Sequence, residues 1–333
     1  MAEAAQSEPN AVTQEDEVFL PVNLASMRID TVPQFDLFFR PAPGQPLVLY
    51  CERNTPFSRE ARRRLQENRV GVLYIRGKHR GQYHRYLADH LDGIVQDPSI
   101  PIREKASVLY DAAMAVVEDT LDKPSRPANI QRSKEVVNHT VDFMTSEQFS
   151  FEDLLRTLSS DYYLYTHSVN VVGYSVTLAM AADIKDRASL RELANGALVH
   201  DVGKSRIAEA IIHKAGPLTT YEWEQMQRHP ELGHQLISES GRLGEIALDI
   251  ILHHHERMDA TGYPHHLHGD ELSLYVRVVS IADVFDALTS DRYHQKGQTS
   301  FEALSTMQRT MPQQVDTDLF RLFVEIFGGK KGK

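Results

Sequence analysis

Hydrophobic and polar positions follow two different rules along this chain, and the change falls near Asp97-Pro98. Before it, short apolar bursts alternate with turn formers: Val18-Phe19-Leu20, Phe35 to Phe39, Leu47 to Cys51 and Val70 to Ile75, with Pro41-Ala42-Pro43-Gly44 between two of them. Such bursts predict strands. Between the last two, Thr55 as N-cap and Pro56 in the first turn predict a helix through Arg62-Arg63-Arg64 to Asn68. A second helix is expected over 81–91. The reading is a small α+β domain over 16–95, preceded by a disordered tail, 1–15, that has no basic residue and little to bury.

After Asp97-Pro98 apolar residues recur at intervals of three and four instead. Ala106, Leu109, Tyr110, Ala113, Val116, Val117 and Leu121 mark one buried face of a long helix, ended by Pro124 and Pro127. A second such helix runs from Ile130 to Met144, and the pair is expected to form a helical connector over 96–148. The remainder, 149–328, is expected to be an all-α domain, with 329–333 as a basic tail. Its segment Tyr162 to Ala182 is apolar nearly all round, as suits a central helix. Further helices are expected from Leu190 into His200-Asp201, with Gly203 as C-cap, from a Thr219–Glu222 capping box to a stop at His229-Pro230, and again from Glu231-Leu232-Gly233. Others follow over 244–256, 275–290 and within 301–327.

Composition narrows the function classes. Of 333 residues, 41% are hydrophobic and 25% charged, which describes an ordinary folded protein long enough for two domains. A net charge of −10 argues against a general binder of nucleic-acid polymers. The single cysteine, Cys51, excludes an internal disulfide framework and fits a reducing compartment. No apolar run reaches the roughly 18 residues of a membrane span, so the expectation is a cytoplasmic protein without a membrane partner.

Histidine changes the picture. Twelve of the sixteen lie from His167 onward. Five of them fall in Val199-His200-Asp201-Val202-Gly203-Lys204, His229-Pro230 and His253-His254-His255-Glu256-Arg257, and a later stretch adds Asp283 and Asp286. Imidazole nitrogens and carboxylate oxygens are the mixed donors that iron, manganese, zinc and nickel accept, and a carboxylate can bridge two cations. Hydrolysis of a phosphodiester requires the barrier to fall by roughly 20 kcal/mol. One histidine base, worth roughly 10² to 10⁴-fold, is insufficient, whereas two cations about 3.5 to 4 Å apart supply both nucleophile activation and charge neutralisation. Three consecutive histidines cannot all face one point of a helix, and His254 with His255 is the better pair.

With Gly262-Tyr263-Pro264 and Ile281-Ala282-Asp283-Val284-Phe285-Asp286 through Asp291-Arg292, these motifs resemble the HD-GYP family of bacterial cyclic di-GMP phosphodiesterases, over 149–327. The resemblance implies an HD-type all-α phosphohydrolase that cleaves cyclic di-GMP to linear pGpG and/or GMP through a metal-bridging hydroxide. It implies His167, His200, Asp201, His229, His254, His255 and Asp283 as metal ligands, with Asp201 as the bridge. Lys204 and Asp286 would assist catalysis beside Asp201, and Tyr263, Arg292 and Lys204 would contact the substrate. Some family members carry a glutamate one turn before the first histidine, where it helps hold a third metal. Tyr163 stands there in this chain, so two divalent ions, iron or manganese, are expected.

Ala260 replaces the usual loop glycine, and Tyr293-His294-Gln295 replace a common proline, tyrosine and arginine. Two other readings are a phosphohydrolase for a different cyclic dinucleotide or nucleotide, and a catalytically silent receptor. The first domain resembles the variable modules that accompany such enzymes. Its ligand or partner, and whether the chain forms a homodimer, are left open.

Overall fold

The computed structural model describes residues 18–124, 126–146, 149–158, 164–291 and 296–328. The N-terminal tail, Tyr163, Arg292, the triplet 293–295 and the basic tail lie outside these. The chain divides into two compact units after Leu87.

In the first unit, strands β1 (Phe19–Asn23), β2 (Leu37–Phe39), β3 (Val48–Cys51) and β4 (Val72–Arg76) coincide with the four apolar bursts. They form an antiparallel sheet in the order β1-β4-β2-β3. Helix α1 (Arg59–Glu67) starts later than Thr55 and Pro56 suggested. Its N-cap is Ser58, whose hydroxyl accepts the Ala61 N–H at 3.1 Å. The reason is tertiary: Phe57 is fully buried and its N–H donates to the Thr31 carbonyl at 2.8 Å. That anchoring holds the chain before Ser58 out of the helix. Helix α2 (Arg80–Gln96) starts in this unit, and the division falls within it. Its Tyr83 and Tyr86 pack edge-on against Phe35.

In the second unit, α3 (Ile102–Asp122) and α4 (Pro127–Met144) are not a bare connector. They pack on each other, α3 on α6 (Leu164–Ala181) and α4 on α7 (Arg187–Val199), because the apolar stripe through Leu109, Val116, Val136 and Val141 is buried. Pro127 opens α4 instead of closing α3, since its fixed φ suits a first helical turn. Short α5 (Phe151–Thr157) precedes α6, which packs against α3, α7 and α12 (Leu274–Thr289) and buries Val171, Val176, Leu178 and Ala179 completely. Between α7 and α12 come α8 (Glu209–Ile212), α9 (Thr220–Met226), α10 (His229–Ser238) and α11 (Glu245–His253).

Helices α13 (Ser300–Thr310) and α14 (Thr317–Phe327) close the unit. Tyr174 of α6, Phe285 of α12 and Phe323 of α14 meet edge to face, with the Tyr174–Phe285 and Phe285–Phe323 centroids each 5.1 Å apart. Such pairs contribute about 0.5–1.5 kcal/mol each beyond area burial. They clamp together the two helices that carry His167 and Asp283. No helix among the described residues is long and apolar enough to cross a membrane.

Candidate metal centre

The cluster is assembled at helix ends, where a chain can turn side chains toward one point. Helix α7 stops at Val199, His200 is its cap, and Asp201 leads into a 3₁₀ turn, Val202–Arg206. Gly203 lies inside that turn and is not the expected helix cap. A Cβ there would stand 1.9 Å from the His229 carbonyl oxygen. Gly203 therefore lets the His200-Asp201 turn touch the start of α10, which begins at His229-Pro230, two residues before the helix start expected at Glu231. Helix α11 ends at His253, with His254 as cap, so His254 and His255 lie beyond the rigid helical spacing that would splay them.

The seven expected ligands converge. Donor atoms of Asp201, His229, His254 and His255 lie within 4.8 Å of one another, as do those of His167, His200 and Asp283. Two atoms each at 2.0–2.2 Å from one ion are separated by roughly 3 to 4.4 Å, so both groups have suitable dimensions. Asp201 faces both groups. Its Oδ1 is 3.2 Å from His229 Nε2 and 3.9 Å from His254 Nε2, while its Oδ2 is 3.4 Å from His200 Nε2 and 3.8 Å from His167 Nε2.

Hydrogen bonds behind the rings fix which nitrogen is presented. Nδ1–H of His200, His229 and His254 donates to the carbonyls of Ala197, Met226 and Ile251, at 2.7, 2.8 and 3.1 Å. His167 Nδ1 lies 2.8 Å from Asp286 Oδ2. The Nε2 lone pairs are thereby turned inward. The Nε2 atoms of His229 and His254 stand 3.2 Å apart, and His167 Nε2 is 3.1 Å from Asp283 Oδ1. Acceptors at such distances require positive charge between them. His200 Nε2 and Asp201 Oδ1 are also buried without a hydrogen-bond partner. Five imidazoles, two carboxylates and these facing lone pairs fit a pair of divalent cations.

Charge agrees with that fit. Burial alone would raise the Asp201 carboxyl, but the Lys204 ammonium, 2.5 Å from Oδ2, and the neighbouring imidazoles hold it well below the usual carboxylate range. Asp283 is likewise held well below the usual carboxylate range against its burial, by the His167 and His255 imidazoles beside it. Burial and neighbouring imidazoles push His254 and His255 well below the ordinary histidine value, which leaves neutral rings and ionised acids. That is the protonation state that metal binding needs.

Asp286 was expected at the reacting centre, beside Lys204. It lies behind His167 instead: Oδ2 meets His167 Nδ1, and Oδ1 accepts from Asn170 Nδ2 at 2.8 Å. Asp283 and Asp286 are three positions apart on α12, which puts both on the side facing α6 while a helical turn sets them at different depths. Tyr110 of α3 extends the chain, its hydroxyl donating to Asn170 Oδ1 at 3.0 Å. Apolar spacing marks Tyr110 only as part of a buried helix face and does not mark Asn170 at all. The three-residue spacing of His167 and Asn170 on one helix was the available signal for Asn170; only tertiary packing reveals the part played by Tyr110.

Tyr263 lies over the cluster, its ring 4.7 Å from that of His255 and tilted by 31°. Burial and the Asp283 and Asp201 carboxylates push its phenol up, so it remains protonated. The loop that carries it is tied by Glu256, a nearly buried carboxylate that accepts the backbone N–H groups of His265 and Leu267 at 2.6 and 3.2 Å. Gly262 is required here, because a Cβ would lie 2.4 Å from the Glu256 Cα. Beside the cluster a cavity of about 350 Å³ is lined by His167, His255, Asp283, Lys204, Ser290 and Lys296. Arg292, the other expected substrate contact, lies outside the described residues.

The two-group histidine–aspartate cradle is buried at the meeting point of helices α6, α7, α10, α11 and α12, and its donors suit divalent cations. Residues 151–319, half of the chain, match the HD domain family, and the chain belongs to it. It is 37% identical over 175 residues to the cyclic di-GMP phosphodiesterase PA4108 of Pseudomonas aeruginosa, covering 53% of this chain and 42% of that one. It is 34% identical over 158 residues to 3'3'-cGAMP-specific phosphodiesterase 3 of Vibrio cholerae, covering 47% of this chain and 34% of that one. The chain thus spans less than half the length of these relatives. The solved structure of Bd1817, an HDG"Y"P protein from Bdellovibrio bacteriovorus, shares the fold, with a TM-score of 0.67 at 20% identity over 94% of this chain and all of that one.

Proposed function

We propose that this chain is a cytoplasmic, metal-dependent phosphodiesterase that hydrolyses cyclic di-GMP to linear pGpG and/or GMP. The observation that carries the reading is Asp201, whose two oxygens address two separate sets of imidazoles. It is supported by relatives named as cyclic di-GMP phosphodiesterases. Two divalent cations, iron or manganese, would supply Lewis acidity toward the phosphate and toward water when bound. His167, His200 and Asp283 would hold one, and His229, His254 and His255 the other, with Asp201 able to serve both groups.

The protein's own groups do the rest. Lys204 lines the cavity with an ammonium fixed by Asp201, a cation placed to stabilise charge that grows on phosphoryl oxygen. Tyr263 offers a protonated phenol and a ring face, and Arg292 supplies a guanidinium for phosphate. Asp286 keeps the His167 ring in its ligating orientation.

A second reading, hydrolysis of another cyclic dinucleotide, is favoured by relatives of similar identity that are named as 3'3'-cGAMP-specific. Anaerobically purified, metal-analysed protein incubated separately with cyclic di-GMP and 3'3'-cGAMP separates the two. Faster appearance of linear product from cyclic di-GMP supports the first reading. Faster cleavage of 3'3'-cGAMP supports the second, and binding of either without cleavage would identify a receptor.

A further inference from the structure

The chain contains one tryptophan, Trp223, and it is left 46% exposed. Tryptophan is a costly residue to leave in water, since its large apolar ring contributes most when buried. Its surroundings suggest why this one is open. The Trp223 ring meets that of Tyr263 edge to face, with centroids 6.1 Å apart and planes at 80°. Tyr263 in turn lies over His255, and its centroid is 6.4 Å from that of His229. An unbroken series of rings therefore runs from two metal-facing imidazoles to a half-open indole.

The indole is also held in place. Trp223 sits on α9, which opens with a complete capping box: Thr219 Oγ1 accepts the Glu222 N–H and Glu222 accepts the Thr219 N–H. The Glu222 carboxylate is tied to Lys214, and that hydrogen bond, with those from Thr219, lowers its pKa to about 2. A short helix secured at its start presents Trp223 with little freedom to lose on binding. Bases of every kind offer a π-face that stacks on such a ring.

We infer that Trp223 is a base-binding residue: its exposed face stacks on one purine of a dinucleotide whose phosphate lies at the cluster, two ring contacts away. The inference rests on the phosphodiesterase reading above and adds to it a subsite for the nucleobase. It also separates the work done at the two ends, with phosphate chemistry at the cradle and base affinity at α9.

The sole tryptophan is its own probe. Metal-loaded protein is mixed with cyclic di-GMP in a stopped-flow instrument, intrinsic fluorescence is followed, and steady-state hydrolysis is measured in parallel for the native chain, Trp223→Phe and Trp223→Ala. Saturable quenching of the native chain is expected within the time of binding. Trp223→Ala should raise KM roughly ten-fold, with kcat within about two-fold, and Trp223→Phe should recover most of the loss. Unchanged circular dichroism of both variants shows that the fold persists. Hydrolysis with no fluorescence change and an unaltered KM in Trp223→Ala would overturn the Trp223 subsite while leaving the phosphodiesterase reading intact. Neither quenching nor hydrolysis of cyclic di-GMP by the metal-loaded native chain would overturn both.

Discussion

His253 and His254 are neighbours in sequence, yet they serve two sites built on opposite plans. His254 is fully buried, its Nδ1–H spent on a backbone carbonyl and its Nε2 facing other lone pairs. His253 has Nδ1 2.6 Å from Asp249 Oδ1 and Nε2 3.0 Å from Nδ1 of the exposed His265. Every nitrogen of His253 has a complementary partner, so the contact is complete without an ion. The difference teaches that residue type does not make a ligand. A histidine becomes one when its second nitrogen is anchored from behind and its first is left facing other acceptors. The His253 arrangement instead pins the loop after Pro264 to α11.

The sharpest way to break the comparison is to remove one member from each side. Asp201→Ala should abolish two-metal binding and lower cyclic di-GMP turnover on the order of 10³-fold or more. His253→Ala should keep full metal content and turnover within a few-fold. Metal analysis alongside product chromatography reads both. Equal metal loss in the two variants would erase the distinction.

Gly203→Ala comes next, because a Cβ 1.9 Å from the His229 oxygen forces the Asp201 turn away from α10. A stability loss of about 3 kcal/mol is expected, together with reduced metal content, measured by thermal denaturation with and without added metal. Asp286→Asn probes the anchoring carboxylate behind His167. Second-sphere changes of this kind cost about 10 to 100-fold in metal affinity, and competition with a chelating dye measures it. A loss confined to kcat, with affinity intact, would return Asp286 to the reacting centre.

Much of this was legible before any coordinates. The all-α domain, the strands of the first unit and the convergence of the ligand residues follow from apolar periodicity, motif order and family resemblance. The sequence could not say how those residues converge, because His200, His229 and His254 owe their placement to helix ends, and ends depend on tertiary contacts. Gly203 signals a helix cap by local rules, and only the proximity of α10 shows that it answers to a steric limit. Pro127 and Thr55 failed for the same reason. Each carries a local signal compatible with two structures, and burial of Phe57 or of the α4 stripe chooses between them. Tyr110 lies some sixty residues from Asn170, beyond any pattern of spacing.

Two smaller effects sharpen the picture. His254 and His255 are held below the ordinary value of about 6.5, chiefly by burial, so both stay neutral as pH falls through that value. Protons then compete with metal only at lower pH, and release followed by a chelating dye should have its midpoint below pH 6.5. A midpoint above it would mean that the rings titrate like exposed histidines. Ala260 has a left-handed backbone, φ 61°, in the loop before Tyr263. Replacing it with glycine should stabilise the fold by up to about 1 kcal/mol, readable as a small rise in Tm, with metal content unchanged.

The most direct test is the number of divalent ions held by each folded chain. Protein purified without oxygen, reconstituted with iron or manganese and freed of excess metal should carry two ions per chain. The His254→Ala variant should fall toward one, and His253→Ala should still carry two. One ion or none in the reconstituted native chain would contradict the paired cradle around Asp201.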